Sequence, residues 1–406
     1  MSIESPEKTS RFRGMAKRFA AVAAVFASAS LIALPASAAL PDFADGKFNF
    51  MMNGAGSDTT YFAMQDMDDL FNESPGCNLI VPPALPQFTC GPDTATTVLT
   101  ENYDHEVAAE MFPQGSSAGL RVLCQENDGL TGTLYYSYAR SSSAPASAPS
   151  ECKNDTKDKL RYVGWAKDAV AIPRWTGGPS DGVGNLTLDQ LKQIFLGTPP
   201  AGSPPGTVGT CNHNWNEFGG GNAAIRVNGI QTSSGTYSTW QGFLGGDPNT
   251  CVAATGGQVL FENNCTPINT LPAVDRQRSI WALSFGKYTT GEADCSTAAA
   301  PTALISVNSV AASPATIQNG TYQFNRTLFN VYRRSGPPWI QGFVGEAGWI
   351  CKPNALHSKP VGDPNPGQEN GNVDRNWGVA IDKVITSNGF VKVNPTGNKC
   401  VTFDVN

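Results

Sequence analysis

The chain has 406 residues, with 28 Lys and Arg against 34 Asp and Glu, a formal charge of −6, and it is 40% hydrophobic and 15% charged. That length holds two domains or one large two-lobed body, and the acidic balance argues against nucleic acid and anionic membrane surfaces as partners. The 42 Gly and 29 Pro require much of the chain to run as loop.

Residues 1–38 read as a signal peptide. Arg11, Arg13, Lys17 and Arg18 form a basic n-region, FAAVAAVFASASLIAL (19–34) an apolar core, and Pro35-Ala36-Ser37-Ala38 a small-residue cleavage site. Cleavage is expected after Ala38. Ala39 follows rather than Cys, so no lipid anchor is expected. The removed segment holds five basic and two acidic residues, which leaves 23 Lys and Arg against 32 Asp and Glu, or −9. No later stretch is apolar and long enough to span a bilayer. The mature chain is therefore expected outside the cytoplasm, extracellular or periplasmic. Its ten cysteines are even in number, and in an exported chain they are expected as disulfides. The shortest local pairings are Cys77–Cys90 and Cys251–Cys265, each worth about 3 kcal/mol by loop entropy. There is no C-x-x-C, no H-E-x-x-H and no paired His spacing, so neither a metal nor another cofactor is expected.

In chain order, FNFMMNGAG (48–56) reads as a strand and turn, followed by a helix carrying Phe62, Met67, Leu70 and Phe71. Asp66, Asp68 and Asp69 read as its solvated face. LYYSYARSSS (134–143) is a strand running into a hydroxyl turn, and LRYVGWAKDAVAIP (160–173) is a strong strand. LTLDQLKQIFLG (186–197) is an amphipathic helix with Leu188, Leu191, Ile194 and Phe195 on its apolar face and a Gly stop. AIRVNGI (224–230) is a strand feeding IQTSSGTYSTWQGFLGG (230–246), where hydroxyl residues crowd ahead of Trp240, Phe243 and Leu244. Long Pro/Gly loops fall at 198–222 and 353–371. Strands and helices alternate, so the class is α/β.

Three Gly/hydroxyl helix starts stand out: Gly54-Ala55-Gly56-Ser57-Asp58-Thr59-Thr60, Gln114-Gly115-Ser116-Ser117-Ala118-Gly119 and Thr232-Ser233-Ser234-Gly235-Thr236. One such start is an ordinary cap. Three, each after a strand, form what an anion clamp needs, because free helix N–H groups and hydroxyls at the carboxyl ends of strands converge on negative charge.

GAGSDTTYFAMQDMDDLF, PQGSSAGLRVL, YSYARSSSAP, LTLDQLKQIFLG, IQTSSGTYSTWQGFLGG and the returning strand YQFNRTLFNVYR (322–333) together resemble the phosphate-binding proteins of ABC transporters, over about residues 48–335. The resemblance implies a two-lobed type II periplasmic-binding-protein fold with two crossing strands. It also implies phosphate or a related oxyanion held between the lobes without metal, an ABC transporter permease as partner, and no enzymatic activity. Lobe 1 would take 39–168 and lobe 2 169–319, and 320–406 would return to lobe 1 and add a disulfide-containing segment. The implied ligand residues are Ser57, Asp58, Thr59, Thr60, Ser116, Ser117, Arg140, Ser141, Ser142, Ser234, Gly235 and Thr236. Two positions depart from the family pattern. The turn that carries its proton-accepting Asp reads Ser141-Ser142-Ser143, and the Arg four residues before the Ser of Ser-Gly-Thr is replaced by Ile230 and then Gln231. Arg140 and Asp58 are the candidate substitutes.

Two other readings compete. Gly115-Ser116-Ser117-Ala118-Gly119 also fits the G-x-S-x-G nucleophile elbow of a secreted serine hydrolase. Its His partner would have to be His105, His213 or His357, each in a context that reads as structural or solvent-facing. A carbohydrate-binding or surface protein could use the eight Trp as a stacking platform, although scattered Trp read first as core.

Overall fold

A computed structural model describes residues 50–73, 98–102, 115–125, 137–144, 160–292, 295, 301–334, 336, 338–354, 377–394 and 399–405. The expected signal peptide, the Cys77–Cys90 pair, His105 and His357 lie outside the described residues. The strands are β1 (Phe50–Gly56), β2 (Val98–Asn102), β3 (Tyr138–Ser141), β4 (Leu160–Trp175), β5 (Asn185–Leu186), β6 (Arg226–Val227), β7 (Gly229–Ile230), β8 (Val259–Leu260), β9 (Ser279–Ile280), β10 (Leu283–Ser284), β11 (Thr302–Val307), β12 (Asn325–Arg333), β13 (Val391–Lys392) and β14 (Val401–Val405).

The main sheet runs β2-β1-β3-β12-β4-β11-β5, and β10, β13 and β14 also pair with β4. β1 is parallel to β2 and to β3. The chain thus passes from β1 outward to β2 and back to β3 on the other side of β1. This reversal opens a crevice at the carboxyl ends of β1 and β3, which is where an α/β sheet takes ligands. β4 and β12 run antiparallel side by side, Asn325 opposite Ala169 through Arg333 opposite Leu160, with a register shift between Leu328 and Phe329.

β4 is buried along most of its length, with the apolar stretches Tyr162–Ala166 and Ala169–Ile172 set between charged positions. It feeds the two largest hydrophobic clusters, and its ends reach two smaller ones through Leu160, Tyr162 and Trp175. Val163, Trp165 and Ala166 pack with Met64, Met67, Phe71, Phe343, Trp349, Ile381 and Ile385. Ala169 to Ile172 pack with Leu191, Ile194, Phe195, Trp240, Leu244 and Phe324. Asp168 sits between these two stretches. The helices Tyr61–Glu73 and Trp377–Ser387 both contribute to the first cluster, so the segment after 336 completes the core begun near the amino end. Asp68 is buried and Asp66 accepts a hydrogen bond from Asn388 Nδ2, so this acidic stretch is not the solvated face expected of it.

The helix Leu188–Leu196 follows its sequence signals closely. Thr187 and Gln190 form a reciprocal capping box, and Gly197 ends the helix at φ 64°. Leu191, Ile194 and Phe195 are buried beneath it, each contributing about 1.5–3 kcal/mol by leaving water.

The expected Cys251–Cys265 pairing is wrong. Cys251 bonds Cys211, Cys265 bonds Cys295, and Cys351 bonds Cys400. Sequence proximity misled because the Pro/Gly loop 198–222 doubles back: Cys211 and Cys251 meet beside Gly197, whose backbone approaches both sulfurs. Among the described residues no helix is long and apolar enough to cross a membrane.

Cys211–Cys251 closes a separation of 40 residues. Replacing both cysteines with Ser should lower stability by about 3–4 kcal/mol in the chain-entropy account. The shift of the denaturant midpoint, with the other disulfides kept oxidised, measures it.

Candidate ligand-binding site

Three turns converge at the crevice. The first follows β1. Gly56 takes φ 128° and lies against the backbone of Arg140, and Ser57 donates its N–H to the Arg140 carbonyl at 3.1 Å. The second follows β3, where the Ser142 N–H donates to Ser116 Oγ at 2.9 Å. The third is the start of the helix Gly235–Leu244. There Ser234 Oγ accepts from the N–H groups of Thr236 and Tyr237 as an N-cap. Gly235 is required at this point, because a Cβ would strike both Ser116 Oγ and Ser142 Oγ. Ser57, Thr59, Thr60, Ser116, Ser141, Ser142, Ser234 and Thr236 are all buried.

A carboxylate of the protein itself sits at the centre. Glu262 is 4% exposed. Its Oε1 accepts from Thr236 Oγ1 at 2.6 Å, Thr59 Oγ1 at 2.8 Å, Ser142 Oγ at 3.0 Å and the Thr236 N–H at 3.3 Å. Its Oε2 faces Ser57 Oγ at 3.5 Å, and Ser57 Oγ also donates to Ser142 Oγ at 2.9 Å. The hydroxyls and helix start singled out in the sequence thus form an anion site that holds a carboxylate.

Arg326 on β12 orients these hydroxyls. Its Nη1 donates to Thr236 Oγ1 at 2.8 Å and to the Ser142 carbonyl at 3.2 Å, and its Nη2 approaches Thr59 Oγ1 at 3.4 Å. Asn263 Nδ2 donates to Thr59 Oγ1 at 3.0 Å. With their lone pairs engaged by cationic or amide donors, Thr236 and Thr59 turn their single protons toward Glu262. Arg326 is itself fixed by Asp168, the residue opposite it on β4, with Nε and Nη2 at 3.1 and 2.8 Å from Oδ2. Asp168 Oδ1 accepts the Gly286 N–H at 3.0 Å. Nearby, Lys287 is buried, paired with Glu292, and its ammonium lies 4.6 Å above the Phe62 ring. Burial pulls the Lys287 pKa below the usual lysine value, opposed by Glu292 and more weakly by Asp168 and Asp66.

The expected residues separate into two groups. Ser57, Thr59, Ser142 and Thr236 meet at the anion, with Ser116, Ser234 and Gly235 shaping the turns that present them. Thr60 Oγ1 turns back to the Ser57 carbonyl, Asp58 opens the 3-10 turn Asp58–Thr60, and Ser141 Oγ pairs with Ser143. Ser117 is exposed, one helix position away from the buried Ser116. Arg140 faces the carbonyls of Gly54 and Ser57 at 2.9 and 3.2 Å and lies 5.4 Å from the Tyr61 ring centroid, so it braces the end of β1. Among the described residues, the cation that donates to the clamp hydroxyls is Arg326. Sequence reasoning missed Arg326, Asp168 and Glu262. Asp168 and Arg326 do interrupt long strands, but so do Arg161, Lys167, Arg174 and Arg333, and Glu262, in FENNC (261–265), carries no local signal.

His213 pairs with Glu217 at 2.7 Å in the loop after Cys211. Trp165, Trp175, Trp215, Trp240, Trp281 and Trp349 are fully buried as core, which removes them as a sugar-stacking surface.

A family model for the PBP superfamily domain matches residues 94–347. This chain belongs to the PBP superfamily. No curated protein matches it. Among solved structures, this PBP-superfamily chain is similar to a putative phosphate ABC transporter substrate-binding protein with bound phosphate from Clostridium perfringens, at 19% identity and TM-score 0.46 over 72% of this chain and 91% of that one. It is also similar to an ABC-type phosphate transport receptor from Vibrio cholerae, at 18% identity and TM-score 0.43 over 70% and 87%. A third is a phosphate-binding protein from Stenotrophomonas maltophilia, at 15% identity and TM-score 0.42 over 86% and 91%.

The buried Asp168–Arg326 pair generates a stability test. Asp168→Ala leaves an unpaired guanidinium in the interior and should cost about 3–5 kcal/mol, whereas the double change Asp168→Ala/Arg326→Leu should cost less than the single one. Chemical denaturation of both variants decides it.

Proposed function

We propose that this chain is a solute-binding protein that captures a small oxyanion, inorganic phosphate first among the candidates, and that it is not an enzyme. The observation that supports this is the set of donors around Glu262: three hydroxyls and one helix-terminal N–H bonded to a single carboxylate oxygen, with Arg326 behind them. Convergent protons of this kind replace the water shell of an oxyanion, and the dipole of the helix Gly235–Leu244 adds to them. Phosphate comes first because the three helix starts resemble those of phosphate-binding proteins. We place the lobe boundaries at 168/169 and 319/320, so that Ser57, Thr59 and Ser142 come from one lobe and Thr236 from the other. Closure of the lobes would then complete the clamp.

We further propose that the chain is exported, with cleavage after Ala38, and hands its ligand to an ABC transporter permease. Its disulfides agree with an oxidising compartment. Against the hydrolase alternative, Ser117 is exposed and is not among the hydroxyls that donate to Glu262.

The test is calorimetric titration of phosphate into the oxidised, phosphate-stripped protein, with sulfate alongside. Phosphate should bind and sulfate should bind more weakly. Thr236→Val, which removes a donor to the anion, should weaken phosphate by about 10- to 150-fold, as expected for a lost hydrogen bond to a charged group. Absence of phosphate binding in both the wild type and the Glu262→Ala variant would sink the proposal.

A further inference from the structure

Glu262 reaches the clamp from a segment built to deliver it. It lies two residues after β8, and its own N–H donates to Gln231 Oε1 at 3.1 Å. The next residue, Asn263, is held at φ 60°, a left-handed conformation that Asn tolerates better than most side chains. Asn263 bridges outward as well, with Nδ2 on Thr59 Oγ1 and Oδ1 accepting the Ser284 N–H at 2.9 Å. Two residues further, Cys265 is tied to Cys295. The carboxylate thus stands on a short arm anchored at both ends. Yet the arm's flank is open to solvent: Val259 is 55% and Phe261 49% exposed. A swing of the Glu262 side chain therefore need not unpack either of the two large hydrophobic clusters.

The donors set a limit on what else the clamp can hold. Each of Thr59, Ser142 and Thr236 has one hydroxyl proton, and each proton is directed at Glu262 Oε1. An arriving oxyanion needs those same protons. It also brings negative charge against a carboxylate in a site where water is excluded and like charges repel strongly. Both anions cannot be held at full strength by one set of protons.

From this we infer that Glu262 is a tethered competitor: it occupies the oxyanion site of its own chain, and ligand binds by displacing it. The inference rests on the oxyanion-binding reading above and adds its regulation. The tether keeps the carboxylate at a millimolar-range effective concentration or above, so a weak carboxylate–clamp affinity suffices to fill the site. Apparent ligand affinity falls by the fraction of molecules in which the arm is out. The device keeps the convergent hydroxyls satisfied when no ligand is present, and it raises the ligand concentration at which the protein fills.

Phosphate is titrated calorimetrically into wild type, Glu262→Ala and Glu262→Gln. Glu262→Ala should bind phosphate about tenfold tighter or more, corresponding to a competent fraction near one tenth in the wild type, and Glu262→Gln should fall between the two. In Glu262→Ala, added formate should compete with phosphate by taking the vacated carboxylate position, and in wild type it should have less effect. In the wild type, saturating phosphate should speed amide hydrogen exchange across 261–264 while slowing it at Thr236; this readout needs no variant to fold. Equal affinity in wild type and Glu262→Ala, or exchange at 261–264 that slows with phosphate, would overturn the competitor while leaving oxyanion binding intact. Weaker binding by Glu262→Ala would overturn it too, by making Glu262 a ligand contact. No phosphate binding by any of the three proteins would remove the oxyanion reading and this inference together.

Discussion

Everything at the crevice depends on one ion pair between two neighbouring strands. Asp168 and Arg326 face each other on β4 and β12, almost fully buried, at the level where β4 passes from one hydrophobic cluster to the other. Neither charge could stay in the interior alone. Paired, they leave the guanidinium with one side committed to Asp168 and the other free to address hydroxyls. That second side decides the polarity of the clamp. By occupying lone pairs on Thr236, and more weakly on Thr59, Arg326 forces their protons inward, so neutral side chains present a uniformly donating wall. A chain with net negative charge can in this way hold an anion at one place, through short-range dipoles that its overall field does not cancel.

The parts legible in the sequence are those set by local chemistry. The helix Leu188–Leu196 shows its cap, its stop and its buried face in twelve letters. The three Gly/hydroxyl turns declare themselves because helix starts and close backbone approach require those residue types. Long β4 is visible because its stretches YVGWA and AVAI are what a strand buried on both faces requires. The crossing-strand architecture followed from a resemblance spread over many segments, and β4 beside β12 agrees with it.

What could not be read depends on distance or on single-residue rotation. Glu262 meets Ser57 across 205 positions and Ser142 across 120, and nothing local to FENNC marks it as a partner of either. Ser116 and Ser117 differ by one helix step of about 100°, enough to put one hydroxyl in the crevice and the other in water. Arg140, beside the serine turn, is the cation the sequence suggests for the clamp, but its guanidinium donates to the carbonyls of Gly54 and Ser57 at the end of β1. The disulfides failed for a related reason: the nearest cysteine in sequence is not the nearest in space once a loop of more than twenty residues folds back on itself.

β4 is sixteen residues long, which at strand rise makes a beam of about 50 Å running through both clusters. A beam that long transmits displacement, and its neighbours β10, β11, β12, β13 and β14 stiffen it along its length. Its ladder with β12 carries one register shift. Between Leu328 and Phe329 the ladder slips, so that Trp165 has no opposite number on β12. Twist concentrates where a ladder is broken. The slip falls three residues before Asp168, so the ion pair stands on the regularly paired side of it, with Asp168 directly opposite Arg326.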